Sequence, residues 1–184
     1  MAETAENLVF PDFLALDDAQ LLAQCDVSIC RASGPGGQHR NKVSTAVRLV
    51  HRPTGINAQG QESRSQHENR RHAVARLRMK IACHVRRPVD PHHLVVPEAA
   101  RSCLHAVRGG SSPWRLTVGA RDRRYWPVAQ FLLDLLEAAS GRLSEAARWL
   151  GVTTSNLASI LKEDRHLHAA AQDIRTRHGQ GPLK

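Results

Sequence analysis

No apolar run in this chain of 184 residues approaches the roughly 20 residues that a membrane-crossing helix requires. The opening Met1-Ala2-Glu3-Thr4-Ala5-Glu6 has neither the basic stretch nor the apolar stretch of a secretory signal. Membrane and export readings are set aside, and a cytoplasmic protein is expected. Cysteine is sparse too. Cys25, Cys30, Cys83 and Cys103 form no Cys-x-x-Cys pair, so the sequence predicts small, partly buried thiols rather than a disulfide framework or a structural zinc. There is no internal repeat and no low-complexity tract. With 41% hydrophobic and 23% charged residues, the chain is long enough to bury a real core without staples.

Acid is nearly absent from one stretch. Residues 28–88 hold thirteen Lys and Arg against two acids, whereas residues 1–27 hold six acids and no Lys or Arg. The remainder is mildly basic, with thirteen against nine, and the whole carries +9. A basic block of this kind inside a globular chain predicts a polyanionic partner, nucleic acid above all.

The local patterns give an α+β chain. Asp17 or Asp18 caps a short helix running to Ala23, and the alternation in Cys25-Asp-Val-Ser-Ile-Cys30 predicts a strand with Val27 and Ile29 on one face. Thr45–His51 reads as a second strand. Pro53-Thr54-Gly55 turns it into a returning strand at Ile56–Gln59. Ser65-Gln66-His67-Glu68 has the Ser-x-x-Glu spacing of a capping box. It opens a helix on which Ala73, Leu77 and Ile81 recur every four residues and Arg70, Arg71, Arg76, Arg78 and Lys80 cover much of the rest. Arg86 to Pro97 reads as a connector and Glu98–Val107 as a short helix broken by Gly109-Gly110. Pro127 suits the first turn of a helix whose stripe is Val128, Phe131, Leu132, Leu135 and Ala139, and Gly141 ends it. Two more helices, Ser144–Leu150 and Thr154–Leu161, flank a Gly-Val turn. The expected organisation is an acidic segment at 1–24, a basic α+β unit at 25–88, a connector at 89–119 and a helical module at 120–184.

Chemistry concentrates in Arg31-Ala-Ser-Gly-Pro-Gly-Gly-Gln-His-Arg-Asn-Lys42. Three glycines and a proline within 33–37 support neither helix nor strand. Gly36 and Gly37 permit positive φ and close approach of backbone to a ligand. Gln38 then projects a neutral amide, donor and acceptor both, between Arg31, Arg40 and Lys42. The segment is not a Walker loop, because Val43 follows Lys42, nor a dinucleotide fingerprint, because no third glycine follows.

The pattern resembles the catalytic domain of class I peptide chain release factors. The resemblance runs from about Val27 to Ala82. It includes Arg31–Gln38, Asn41-Lys42, Ala46–Leu49, Pro53–Ile56, Glu62–Gln66 and Asn69-Arg70. It implies hydrolysis of the ester joining a nascent peptide to tRNA in the ribosomal peptidyl-transferase centre, with no metal and no cofactor. The backbone N–H of Gln38 then stabilises the transition state or the leaving oxygen, as an oxyanion donor does. The Gln38 side chain organises the attacking water, while Gly36 and Gly37 shape the backbone that aims the donor. Arg31, Arg40, Asn41, Lys42, Arg64, Ser65 and Gln66 are implied contacts to ribosomal RNA of the large subunit or to peptidyl-tRNA, mostly through phosphate. Arg40 departs from the Val that many members carry there. Full-length release factors also carry stop-codon-reading domains, for which this sequence shows no obvious place. The chain is therefore expected to be similar to the short, codon-independent members that rescue stalled ribosomes, although its ending, Thr176–Lys184, is a poor version of their basic tail.

Other signals are weaker. His67-Glu68 and His72 are not a zinc motif, since histidines five apart diverge by about 140° on a helix. Leu143–Leu161 resembles a helix-turn-helix, yet its second helix offers only Lys162 before Glu163 and Asp164, so a packing module is favoured and Trp149 is expected in the core. The alternative function is a non-catalytic nucleic-acid-binding regulator led by that helix-turn-helix. It predicts that Gln38 is dispensable. An off-ribosome peptidyl-tRNA hydrolase is a third, weaker alternative.

Overall fold

The computed structural model describes residues 12–30 and 45–183, which form a mixed α+β structure around two apolar clusters. Asp17 opens the first helix, α1 (Asp18–Ala23). Its carboxylate accepts from the Gln20 N–H at 2.8 Å, and the Gln20 side chain accepts from the Asp17 N–H at 3.0 Å. This reciprocal box satisfies two of the donors that every helix start leaves open.

Three antiparallel strands follow in the order β1 (Cys25–Cys30), β2 (Ala46–His51), β3 (Asn57–Gly60). Gly55, at φ 68°, makes the turn between β2 and β3, where the His51 carbonyl accepts from the Gly55 N–H at 2.8 Å. His51 is fully buried there, its ring nitrogens bonded to Thr54 Oγ1 at 2.8 Å and Gln24 Oε1 at 3.1 Å. Burial and the neighbouring Arg52 push its pKa down.

The long helix α2 (Gln66–His84) lies across β2 and β3, setting Ala73, Val74, Leu77 and Ile81 against Val47, Leu49 and Ala58. Contact is closest at Gly60, where any Cβ would stand 2.0 Å from the Asn69 carbonyl oxygen. Edge strand β1 lies beyond the helix. Val27 and Ile29 share a face as expected, but they are 41% and 53% exposed.

The second cluster gathers α3 (Glu98–Arg101), a hairpin of β4 (Leu104–Ala106) and β5 (Trp114–Leu116), and helices α4 (Tyr125–Ala138), α5 (Leu143–Leu150), α6 (Thr154–Glu163) and α7 (Arg165–Arg177). Ten of the fourteen residues of α4 are buried, which makes it the central helix of this cluster. Positive φ at Ser140 and Gly141 ends it. Gly151, left-handed at φ 74°, closes α5, and the Thr153 hydroxyl caps α6 by accepting from the Asn156 N–H at 3.1 Å. Trp149 is half-buried against the cluster.

Two elements differ from the sequence reading. The helix expected at Glu98–Val107 stops at Arg101, because Leu104–Ala106 pairs with Trp114–Leu116 once Gly109 (φ 78°) has turned the chain. Residues 89–119 thus hold α3 and the hairpin, and they place Ala100, Cys103, Leu116 and Val118 in the helical cluster. Helix α7 is the second difference, an element beyond those the sequence predicts. Asp164, in sequence merely an acid after Lys162, caps it by accepting from the His166 and Leu167 N–H groups at 2.7 and 3.1 Å.

The clusters meet where α2 ends. The buried Asp134 of α4 accepts from the Arg87 N–H at 3.1 Å and the Arg87 Nε at 3.0 Å, and Arg86 lies 3.2 Å away. Burial pushes the Asp134 carboxyl up in pKa against the pull of the two arginines. Gln130 Nε2 donates to the Val85 carbonyl at 3.1 Å, and Trp126 touches both clusters. Among the described residues all four cysteines are free thiols, and no helix is long and apolar enough to cross a membrane.

Candidate functional site

The glycine-rich segment joins β1 to β2. Arg31, Gly36, Gly37, Gln38, Arg40, Asn41 and Lys42 lie outside the described residues, and the frame of the site is the set of contacts that hold the two ends of this segment. The ends are brought together by the strand pair, with Cys30 opposite Ala46.

Asn69 anchors the returning end. Its Nδ2 donates to the Thr45 carbonyl at 2.8 Å and to the Ser63 carbonyl at 2.8 Å, while its Oδ1 accepts from the Ser63 N–H at 2.9 Å. The residue is 0% exposed, and three of its four hydrogen-bonding positions are used. On the other end, Gln59 Nε2 donates to Gln61 Oε1 at 3.1 Å and reaches Cys30 Sγ at 3.7 Å.

Arg64, Ser65 and Gln66 stand at the start of α2, all exposed. They share an anchor with the loop, because Asn69 binds the Ser63 backbone as well as Thr45. Ser65 also shapes the helix start, since its hydroxyl accepts from the Glu68 N–H at 3.4 Å and its own N–H donates to Ser63 Oγ at 3.0 Å. The expected capping box is only half made, because the Glu68 carboxylate takes the Ser63 hydroxyl instead.

The basic residues divide into two groups. Arg52 is tied to Asp26 and the Ala23 carbonyl, Arg78 to Asp18 and two backbone carbonyls, and Arg76 to Glu62 and the Gln59 carbonyl. These hold the fold. Burial pushes Glu62 upward in pKa, but the bonds from Arg76 and the Gln61 N–H outweigh it and bring the carboxyl down to about 2. By contrast, exposed Arg48, Arg64, Arg70 and Arg71 pair with no acid among the described residues. Arg48 lies on β2, Arg64 just before the cap of α2, and Arg70 and Arg71 on the first turns of α2. His72 bonds to Glu62 at 3.2 Å, and no group of three His, Cys, Asp or Glu that could hold a metal occurs among the described residues.

Sequence reasoning missed Asn69 as an anchor. The available signal was its phase, since Asn69 precedes Ala73, Leu77 and Ile81 at the same four-residue spacing and therefore points into the packing.

The strand pair, its loop and the basic helix define a recognised unit: residues 21–93 match the family model described as RF-1 domain. This part of the chain is similar in sequence to peptide chain release factors. Among its relatives, peptide chain release factor 1 of Streptococcus thermophilus and that of Streptococcus agalactiae are each 44% identical over 81 residues, as is that of Streptococcus pyogenes. The matched stretch covers 44% of this chain and 23% of each relative. The chain thus spans under a quarter of the length of the curated relatives it matches.

Proposed function

We propose that this chain hydrolyses the peptidyl-tRNA ester in the peptidyl-transferase centre of the ribosome, independently of the codon in the A site, as a cytoplasmic rescue or termination factor. The observation that carries the reading is Arg31–Gln38 with Asn41-Lys42, lying inside a stretch that matches the RF-1 domain. Water attacks the ester carbonyl carbon, the bond to the tRNA 3′ oxygen breaks, and the products are a free peptide acid and tRNA. The Gln38 backbone N–H donates to the oxygen on which negative charge develops. Such a donor needs no titratable side chain and is most effective where water is scarce. Gly36 and Gly37 let the backbone reach that oxygen, and the Gln38 side chain positions the water. Arg31, Arg40, Asn41 and Lys42 from the loop, with Arg64, Ser65 and Gln66 beside its anchor, hold ribosomal RNA and tRNA.

Beyond the matched residues the chain builds a helical cluster with its own hairpin, and the reading assigns it no codon contact. The test is peptide release from ribosomes holding peptidyl-tRNA with each of several sense and stop codons in the A site. Equal release on all of them is expected. Release confined to stop codons removes codon independence, and no release on any codon, despite ribosome binding, removes the hydrolase.

A further inference from the structure

The β4–β5 hairpin and helix α6 together line an open groove that the ester chemistry does not use. Two bonds lock these elements: Asn156 Oδ1 accepts from the Leu116 N–H at 2.8 Å, and Asn156 Nδ2 donates to the Leu116 carbonyl at 2.9 Å. Trp114 adds a third, donating its N–H to the Gly151 carbonyl at 3.2 Å. Its indole lies across the α5–α6 turn, so close that a Cβ at Gly151 would meet it at 3.0 Å, yet the residue stays 43% exposed. The groove measures about 390 Å³. Trp114, Arg115, Ser111, Thr153, Ser155 and Ser159 line it. Among the described residues no carboxylate lines it. Residues 99–121 contain four arginines and no acid. Arg108 at the hairpin tip and Arg115 are both exposed, and neither pairs with an acid among the described residues.

Each part fits one ligand chemistry. An exposed indole at the edge of a groove offers a face on which an unstacked base can lie. Guanidiniums without acidic partners meet phosphates. The Thr153 and Ser155 hydroxyls bond to each other at 3.2 Å and the Ser159 hydroxyl donates to the Asn156 carbonyl at 2.8 Å, but their oxygens keep acceptor capacity for ribose 2′-hydroxyls and base edges. A duplex major groove suits the site less well, because one side of α6 is covered by the hairpin and its exposed positions, Thr154, Ser155, Ser159, Lys162 and Glu163, supply one cation and one acid. We propose that the groove between the β4–β5 hairpin and α6 binds single-stranded RNA, with a base stacked on Trp114 and its flanking phosphates on Arg108 and Arg115. The site lies in the helical cluster rather than on the sheet that holds the loop, and the proposal stands apart from the hydrolase reading.

The test uses the full chain carrying W126F and W149F, which leaves Trp114 as its sole tryptophan. A ten-nucleotide uridine-rich RNA should quench Trp114 emission on binding, and the matched DNA strand and the matched RNA duplex should do so much more weakly. Arg108→Glu and Ser155→Glu, both at exposed positions, should each weaken the quenching titration roughly tenfold, the scale of one lost stacked base or phosphate contact, without shifting the unfolding midpoint. Gly37→Ala should leave it unchanged, which separates this site from the loop. RNA that binds by anisotropy without quenching Trp114 sits elsewhere and overturns the proposal. So does equal quenching by duplex, indifference to both glutamate variants, or no binding at all.

Discussion

The two apolar clusters differ in what is buried with them. The helical cluster gathers 24 buried residues, nearly all aliphatic or small, around α4. The sheet cluster gathers 11 and relies on polar joints: His51 at the β2–β3 turn, Asn69 at the loop root, and Arg78 strapping the segment before α1 to α2. The four buried polar residues among those described are His51, Asn69, Gln130 and Asp134. Each stands at a joint between elements, two in the sheet unit and two where α2 meets α4. Apolar burial is non-directional, whereas a hydrogen-bonded amide fixes a chain at a point. The smaller cluster thus uses its polar groups to fix a turn, the returning end of the loop and the segment before α1, and the larger is held together by apolar packing.

The comparison breaks most severely at the shared joint. Asp134→Ala leaves Arg86 without its acid and Arg87 with only Asp12 at 3.4 Å, and the loss should be about 3–5 kcal/mol in urea unfolding, felt in both clusters at once. Next is Gly60→Ala, whose methyl meets the Asn69 carbonyl. It should cost about 3 kcal/mol and lower the stability of the sheet unit ahead of the helical one. Trp114 and Trp149 lie on the helical side, whereas Trp126 touches both clusters, so in a W126F background the emission follows the helical side, and amide exchange in β2 should quicken before that emission changes. Asn69→Ala should cost about 2–3 kcal/mol, because it strands the Thr45 and Ser63 groups. Release should fall further than stability does, as measured under conditions where the variant remains folded.

The smallest effect concerns pH. Glu62 is held below its ordinary value of 4.5, at about 2, so its ionised form favours the folded state. That contribution is complete above about pH 4.5 and fades as pH falls through 2. The partners are half exposed, and the effect should be under about 1 kcal/mol. Glu62→Gln should flatten the stability profile across this window and leave it unchanged near neutrality.

Local chemistry made much of this legible in the sequence. An aspartate cap at Asp17 or Asp18, Cys25–Cys30 as a strand and Ser65 as the start of α2 each depend on residues within a few positions, and each stands in the structure, with Asp17 as the cap. What depended on distant partners was not legible. Val27 and Ile29 were placed on one face correctly, but their exposure follows from where α2 ends its cover. Leu104–Ala106 had no reason to leave a helix until Trp114–Leu116 returned beside it. Asn69 gains its role from Thr45, 24 residues away. Of the site, the glycine motif was readable because its residues are contiguous, and Arg64, Ser65 and Gln66 were named through family resemblance. Why they belong beside the loop became visible only through the Asn69 anchor.

The most direct test is single-turnover peptide release by wild type and Gly37→Ala at equal ribosome occupancy, with Gln38→Ala alongside. If the backbone N–H at Gln38 is the oxyanion donor, the Gly37 variant should bind ribosomes as well as wild type and release peptide at least roughly 10²-fold more slowly. The Gln38 variant should retain more activity than the Gly37 variant, since its main-chain donor remains. Equal release rates for wild type and Gly37→Ala at matched occupancy would contradict the account.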